Sequence, residues 1–132
     1  MKIIAPMRKP DLFGMGHYGA SRGDRKHNGI DYACYPGSNI LAPISGGVSK
    51  IGYPYGDDIS FRYVQITTKD QKNVRVFYVD PDVKIGDLVL ADKTMIGKSQ
   101  ELGKRYKGIT EHIHLEVKDM RGNYIDPKEL KL

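Results

Sequence analysis

The chain has 132 residues, of which 39% are hydrophobic and 28% charged, so it can form one compact core and is not globally disordered. Its net charge of +5 favours an anionic partner without identifying it. No apolar run approaches the roughly 20 residues of a transmembrane helix, and the single cysteine excludes an intramolecular disulfide.

The chain is predicted to be one all-β domain over residues 1–132. Residues 11–28 are rich in glycine and polar residues and are interpreted as a long loop. Beyond residue 30, short apolar stretches alternate with turn signals at intervals of about 8–12 residues. The stretches lie at residues 30–35, 40–43, 48–51, 61–68, 74–79, 83–89, 94–97 and 110–118. This spacing predicts antiparallel strands in a sandwich-like fold, with residues 80–82 breaking the strand at 74–79.

The strand at residues 110–118 contains a His-Ile-His motif. Alternate residues of a strand share a face, so His112, His114 and Glu116 should lie on one side. The intervening residues are apolar and should enter the core. The pattern therefore predicts a strand with a histidine-bearing open face.

A second motif, His-Asn-Gly-Ile-Asp at residues 27–31, places His27 and Asp31 where both can turn towards one point. Zinc takes imidazole nitrogen and carboxylate oxygen, and a catalytic site has three protein ligands with one open position. His27, Asp31 and one histidine of the pair His112/His114 would supply the three ligands. Either motif alone fits solvated surface side chains, but the combination favours a metal site.

The two motifs, together with residues 42–48, 83–89 and 95–97, resemble the signatures of the lysostaphin-like zinc metallopeptidases in order and spacing. The resemblance implies a β-rich domain with a groove over one Zn²⁺ ion and hydrolysis of peptide bonds in bacterial peptidoglycan. It also implies that His27, Asp31 and His114 are the zinc ligands and that His112 is the general base.

The chain departs from that family at Tyr78, where a further catalytic histidine is usual. A neutral tyrosine can donate a hydrogen bond to a developing oxyanion but cannot readily act as a base. Residues 76–81 here are similar to the leukocyte cell-derived chemotaxin variant of the family, which is regarded as a signalling protein. The alternative function is therefore a zinc-stabilised binding module without catalysis.

The resemblance also implies partners and a location. Residues 1–10 lack the apolar core of a signal peptide. We expect either a bacteriophage endolysin that is in the host cytoplasm before release to the cell wall, or a virion-associated enzyme. The expected partners are peptidoglycan peptides and an anionic wall polymer, without nucleic acid or membrane insertion, and the protein is expected to be a monomer.

Several other residues have both a functional and a structural interpretation. Cys34 is either an additional soft metal ligand or a small buried hydrophobe, and the second interpretation is favoured. Glu116 either orients a histidine or is a solvated rim charge. His17, in the loop at residues 11–28, would act only if that loop covers the groove as a lid or an inhibitor. The basic residues within 98–107 either contact an acidic polymer or form a solvated loop, and the loop is favoured. Tyr53, Tyr55 and Tyr63 either line a groove or pack.

Overall fold

The structure is a computed structural model that describes residues 28–130 and the strand backbone at residues 21–22 and 25–26. The predicted roles of His17 and His27 lie outside the described residues. Within the segment interpreted as a loop, Ser21–Arg22 (β1) pairs antiparallel with Arg25–Lys26 (β2). No helix in the described part of the chain is long and apolar enough to cross a membrane.

Ten further strands follow in chain order. They are Gly29–Ala33 (β3), Asn39–Leu41 (β4), Gly46–Gly52 (β5), Tyr63–Thr67 (β6), Asn73–Phe77 (β7), Val79–Pro81 (β8), Leu88–Val89 (β9), Met95–Ser99 (β10), His112–Lys118 (β11) and Tyr124–Ile125 (β12). Every strand pair is antiparallel, which confirms the predicted all-β class.

Two sheets form the body of the domain. The larger has the order β12-β11-β7-β6-β5-β9, with β3 also paired to β11, and the smaller has the order β4-β10-β8. Buried apolar side chains from both sheets form one cluster, for example Ile96 of β10 and Val64 of β6. The core therefore lies between the sheets, and the other face of the larger sheet is left for the site.

Strand β11 follows the predicted alternation. Ile113, Leu115 and Val117 are buried and belong to the core cluster. His112 and His114 lie on the opposite face. The histidines therefore share the face away from the core, as predicted, but the prediction that this face is open was wrong, because His112 is 4% and His114 9% exposed.

The return strand of the central hairpin ends earlier than predicted. Strand β7 stops at Phe77, and Tyr78 has a φ of 70°, which ends the regular extended backbone. Val79–Pro81 then joins the smaller sheet, so the prediction that residues 80–82 break a strand was wrong. A proline is tolerated there because β8 lies at the edge of its sheet.

Two short 3₁₀ helices complete the fold. Leu102–Lys104 lies within residues 98–107, which are interpreted from the sequence as a loop. The Glu111 carboxylate accepts hydrogen bonds from the N–H groups of Leu102 and Gly103. Pro127–Glu129 is capped by Asp126, which accepts from the Lys128 N–H. Such caps satisfy backbone donors that have no partner within the helix.

Candidate metal centre

The pairing of β3 with β11 brings the two predicted motifs together. Asp31 and His114 are directly opposite in the antiparallel register. His114 Nδ1 lies 2.7 Å from Asp31 Oδ1, and Asp31 is only 2% exposed. Two predicted metal ligands that are far apart in sequence therefore meet, both buried, on the face of the larger sheet that is opposite the core.

Gly29 makes this close approach possible. A Cβ atom at this position would lie 2.2 Å from the Leu115 carbonyl oxygen and 2.9 Å from His114 Cε1. Any other residue would push β3 away from β11 or displace the imidazole. The glycine in the His-Asn-Gly-Ile-Asp motif is therefore required by the packing of the ligand pair.

The His114 ring is held at both nitrogens. Its Nε2 lies 3.0 Å from Glu116 Oε1, so Nε2–H donates to the Glu116 carboxylate while Nδ1 faces Asp31. Burial lowers the pKa of His114, but the hydrogen bonds to Asp31 and Glu116 outweigh burial and raise the pKa to about 8. Phe77 contacts the ring edge-to-face, with centroids 5.2 Å apart. Glu116 thus orients the histidine, which was one of its two interpretations.

His112 is held in one tautomer by the backbone. Its Nδ1 lies 2.7 Å from the Thr110 carbonyl oxygen, which can only accept a hydrogen bond, so Nδ1 holds the proton. In the neutral ring the lone pair is then on Nε2, which lies 3.5 Å from Asp31 Oδ2. The side chain is buried but directs a proton-accepting atom towards the same carboxylate that contacts His114.

Tyr78 lies beside His112. It is the single residue between β7 of the larger sheet and β8 of the smaller sheet. The two rings are perpendicular with centroids 5.7 Å apart. Its positive φ of 70° is unusual for a bulky residue and is the kind of backbone strain that clusters at functional sites. Burial is the main cause that raises the pKa of Tyr78 to about 12, so its hydroxyl stays protonated at neutral pH.

A chain of tyrosine hydroxyls ends at Tyr78. Arg105 Nε donates to the Tyr106 hydroxyl at 3.3 Å, and Tyr106 donates to Tyr55 at 2.8 Å. The Tyr55 and Tyr78 hydroxyl oxygens are 3.0 Å apart. Either of these two hydroxyls can be the donor, and where Tyr55 donates, the Tyr78 proton is left for a further acceptor.

Arg105 connects the loop that contains Tyr55 to the loop that contains Tyr106, the two loops that supply these hydroxyl groups. Its Cζ lies 3.9 Å from the centroid of the Tyr55 ring, and it forms an ion pair with Asp57 at 3.3 Å. The interpretation of residues 98–107 as a merely solvated basic loop was therefore wrong for Arg105. Sequence reasoning identified Tyr55 as a groove candidate but missed Tyr106 and Arg105, since no local pattern indicates a contact between these loops.

Cys34 is partly buried against the core, and burial raises the pKa of its thiol, in agreement with a structural role. Within residues 28–130, no three His, Cys, Asp or Glu side chains form a metal-holding group by themselves. The third predicted ligand, His27, lies outside the described residues.

Residues 25–127 match the model of Peptidase family M23, and this span covers most of the chain. The chain belongs to Peptidase family M23. This M23 domain is also 30% identical over 114 residues to leukocyte cell-derived chemotaxin-2 of Bos taurus, covering 86% of this chain and 74% of that protein. The predicted resemblance to both the peptidases and the chemotaxin variant is confirmed.

Solved structures agree on the fold. The catalytic domain of the prophage-encoded M23 protein EnpA from Enterococcus faecalis has a TM-score of 0.67 and 23% identity, covering 97% of this chain and 98% of that domain. Lysostaphin, the antimicrobial peptidase of Staphylococcus simulans, has a TM-score of 0.69 and 21% identity, covering 95% of this chain and 49% of lysostaphin. The M23 domain therefore has the lysostaphin-like fold.

Proposed function

We propose that this M23 domain is a zinc-dependent endopeptidase that hydrolyses peptide bonds of bacterial peptidoglycan. The observation that supports it most directly is the buried Asp31 carboxylate, which faces His114 Nδ1 at 2.7 Å and His112 Nε2 at 3.5 Å. A metal ligand pair and a candidate base therefore converge on one side of the sheet. Such a convergence in a family of peptidases supports hydrolysis.

The donor set fits zinc, because carboxylate oxygen and imidazole nitrogen are ligands that zinc takes. The contact between Glu116 and His114 Nε2 fits as well, since metal-binding histidines usually donate their other N–H to a carboxylate. In this proposal Asp31, His114 and His27 hold the ion. When bound, zinc polarises a carbonyl oxygen and lowers the pKa of water to about 7.

His112 and Tyr78 complete the chemistry. His112 Nε2 takes the proton of the attacking water, because Nδ1 already holds a proton that it donates to the Thr110 carbonyl. The Tyr78 hydroxyl donates to the substrate oxygen that becomes negative. Tyr78 acts as a donor and not as a base, since its pKa of about 12 keeps it neutral.

The test is digestion of purified cell walls of several cross-link types, with the released fragments identified by mass spectrometry. We expect new peptide termini from the wild type, none from His112→Ala or in the presence of a chelator, and a rate about a hundredfold lower for Tyr78→Phe. Lys98→Met, which changes a side chain of the smaller sheet, should cleave like the wild type. Cleavage by His112→Ala at the wild-type rate would overturn the assigned base.

A second candidate is a zinc-stabilised binding module without catalysis. Two observations favour it, namely the match to leukocyte cell-derived chemotaxin-2 and the presence of Tyr78 beside His112. This candidate predicts that no variant hydrolyses any wall, while wild type and His112→Ala retain equal ligand binding and zinc content. The wall digestion therefore separates the two candidates.

We also propose a bacteriophage origin, with the protein in the host cytoplasm before it reaches the wall. The support is the shared fold with EnpA, which is a prophage-encoded protein. Produced inside a bacterium with a susceptible wall, the protein should lyse cells only after the membrane is permeabilised. Lysis without permeabilisation would contradict this location.

A further inference from the structure

The face of the larger sheet that is opposite the core continues beyond the metal centre as a row of polar side chains. In the strand register, His114 lies opposite Phe77, and Phe77 lies opposite Tyr63. Two residues further along the strands, Arg75 of β7 lies between Glu116 of β11 and Gln65 of β6. These three residues form the next row of side chains on the same face. Consecutive rows on one face of a sheet are roughly 7 Å apart, so Arg75 lies about two extended residues from the ligand row.

Contacts between side chains connect Arg75 to the metal centre. The Arg75 Cζ lies 4.7 Å from the centroid of the Tyr63 ring, and the Tyr63 and Phe77 centroids are 5.0 Å apart. Phe77 in turn contacts His114. Tyr63 can lie across the sheet because its neighbour is Gly52, where a Cβ atom would be 2.4 Å from the tyrosine Cζ. Arg75 is thus connected to the proposed ligand His114 through successive contacts with the Tyr63 and Phe77 rings.

The charge of Arg75 is not balanced within the described part of the chain. Its Nε donates to Gln65 Oε1 at 2.7 Å, which fixes the guanidinium plane. No carboxylate among the described residues forms an ion pair with Arg75. Glu116, its neighbour in the register, instead directs Oε1 to His114. A second cation, Lys50 of β5, lies opposite Gln65 at the end of this row, and its Nζ is 5.9 Å from the centroid of the Tyr63 ring.

We propose that Arg75 determines specificity by binding a free carboxylate on the peptide substrate, about two residues from the cleaved bond. This inference rests on the proposed function, since it takes this face of the larger sheet as the substrate groove. A planar, oriented guanidinium with its terminal nitrogens available is suited to bidentate binding of a carboxylate. The positive charge of Lys50 in the same row favours the same ligand.

Arg75 could instead serve only to cover the Tyr63 ring. Arg75→Met separates the two roles, because methionine retains an apolar cover on the ring but has no charge. If packing were the whole role, the variant would treat acidic and neutral substrates as the wild type does. A change that is confined to acidic substrates requires the charge.

The substrates are cross-linked stem-peptide dimers synthesised as a pair, with the D-glutamate α-carboxyl either free or converted to a carboxamide. We expect the wild type to have a kcat/KM about tenfold or more higher for the free acid, and Arg75→Met to lose this preference without losing activity on the amide. Lys98→Met should retain the full preference. Equal kcat/KM values for the two dimers with the wild type would overturn the role of Arg75 while the proposed hydrolysis stands.

Binding is measured separately by titration calorimetry, using zinc-loaded His112→Ala with and without Arg75→Met. Tighter binding of the free acid that disappears with Arg75→Met supports the inference even if the wild type hydrolyses neither dimer, in which case only the proposed catalysis fails. Equal binding of acid and amide, or binding of neither, overturns the inference. The two proposals therefore fail in distinguishable ways.

Discussion

Glu116 is the residue for which the structure decides between two interpretations from the sequence, a partner of a histidine and a solvated charge. Its carboxylate contacts His114 Nε2 at 3.0 Å and is 15% exposed, so it fixes the ring whose Nδ1 is the proposed zinc ligand. Loss of such a partner typically lowers metal affinity by about 10- to 100-fold. We expect Glu116→Ala to show a decrease in this range and Glu116→Gln a smaller one, because a glutamine oxygen can still accept the hydrogen bond.

The measurement is competition for zinc against a chromophoric chelator, with circular dichroism as a check on folding. Glu129→Gln, in the 3₁₀ helix at Pro127–Glu129, is the matched control and should bind zinc like the wild type. An unchanged zinc affinity in Glu116→Ala would show that the contact does not orient the ligand.

At the scale of elements, the site depends on how closely β3 approaches β11. Gly29→Ala would place a Cβ atom 2.2 Å from the Leu115 carbonyl oxygen, so the strands must separate next to Asp31 and His114. Overpacking of this kind costs about 1–3 kcal/mol of unfolding free energy. We expect urea unfolding of Gly29→Ala to show an unfolding free energy lower than that of the wild type by this amount, and the variant to bind zinc more weakly.

A second strand glycine provides the control for this prediction. At Gly47 in β5, the nearest atom to an added Cβ is Leu88 Cδ2 at 4.0 Å, which is an ordinary contact. Gly47→Ala should therefore unfold at nearly the wild-type urea concentration. If both variants unfolded alike, the close approach at Gly29 would not be a constraint on the strand pair.

The sequence predicted those parts of the molecule that depend on local patterns. The alternation in β11 identified both the buried face and the histidine face, and the two motifs identified Asp31 and His114 before their contact was seen. The chain of tyrosines could not be predicted, because it depends on a tertiary contact between the loops that contain Tyr55 and Tyr106. The strand Val79–Pro81 was missed for a similar reason, since its hydrogen bonds come from β10 in the other sheet.

For the whole molecule, metal binding should stabilise the fold, because the proposed ligands join β3 to β11 and the unfolded chain lacks this arrangement. Ligand present at a hundred times its dissociation constant stabilises the folded state by about 2.7 kcal/mol. For a domain of this size we expect the zinc-loaded protein to melt roughly 10 °C above the chelator-treated protein. Differential scanning calorimetry with and without zinc measures the shift, and His114→Ala should show almost none. An equal shift in that variant would mean that zinc binds elsewhere, and the assignment of His114 as a ligand would be wrong.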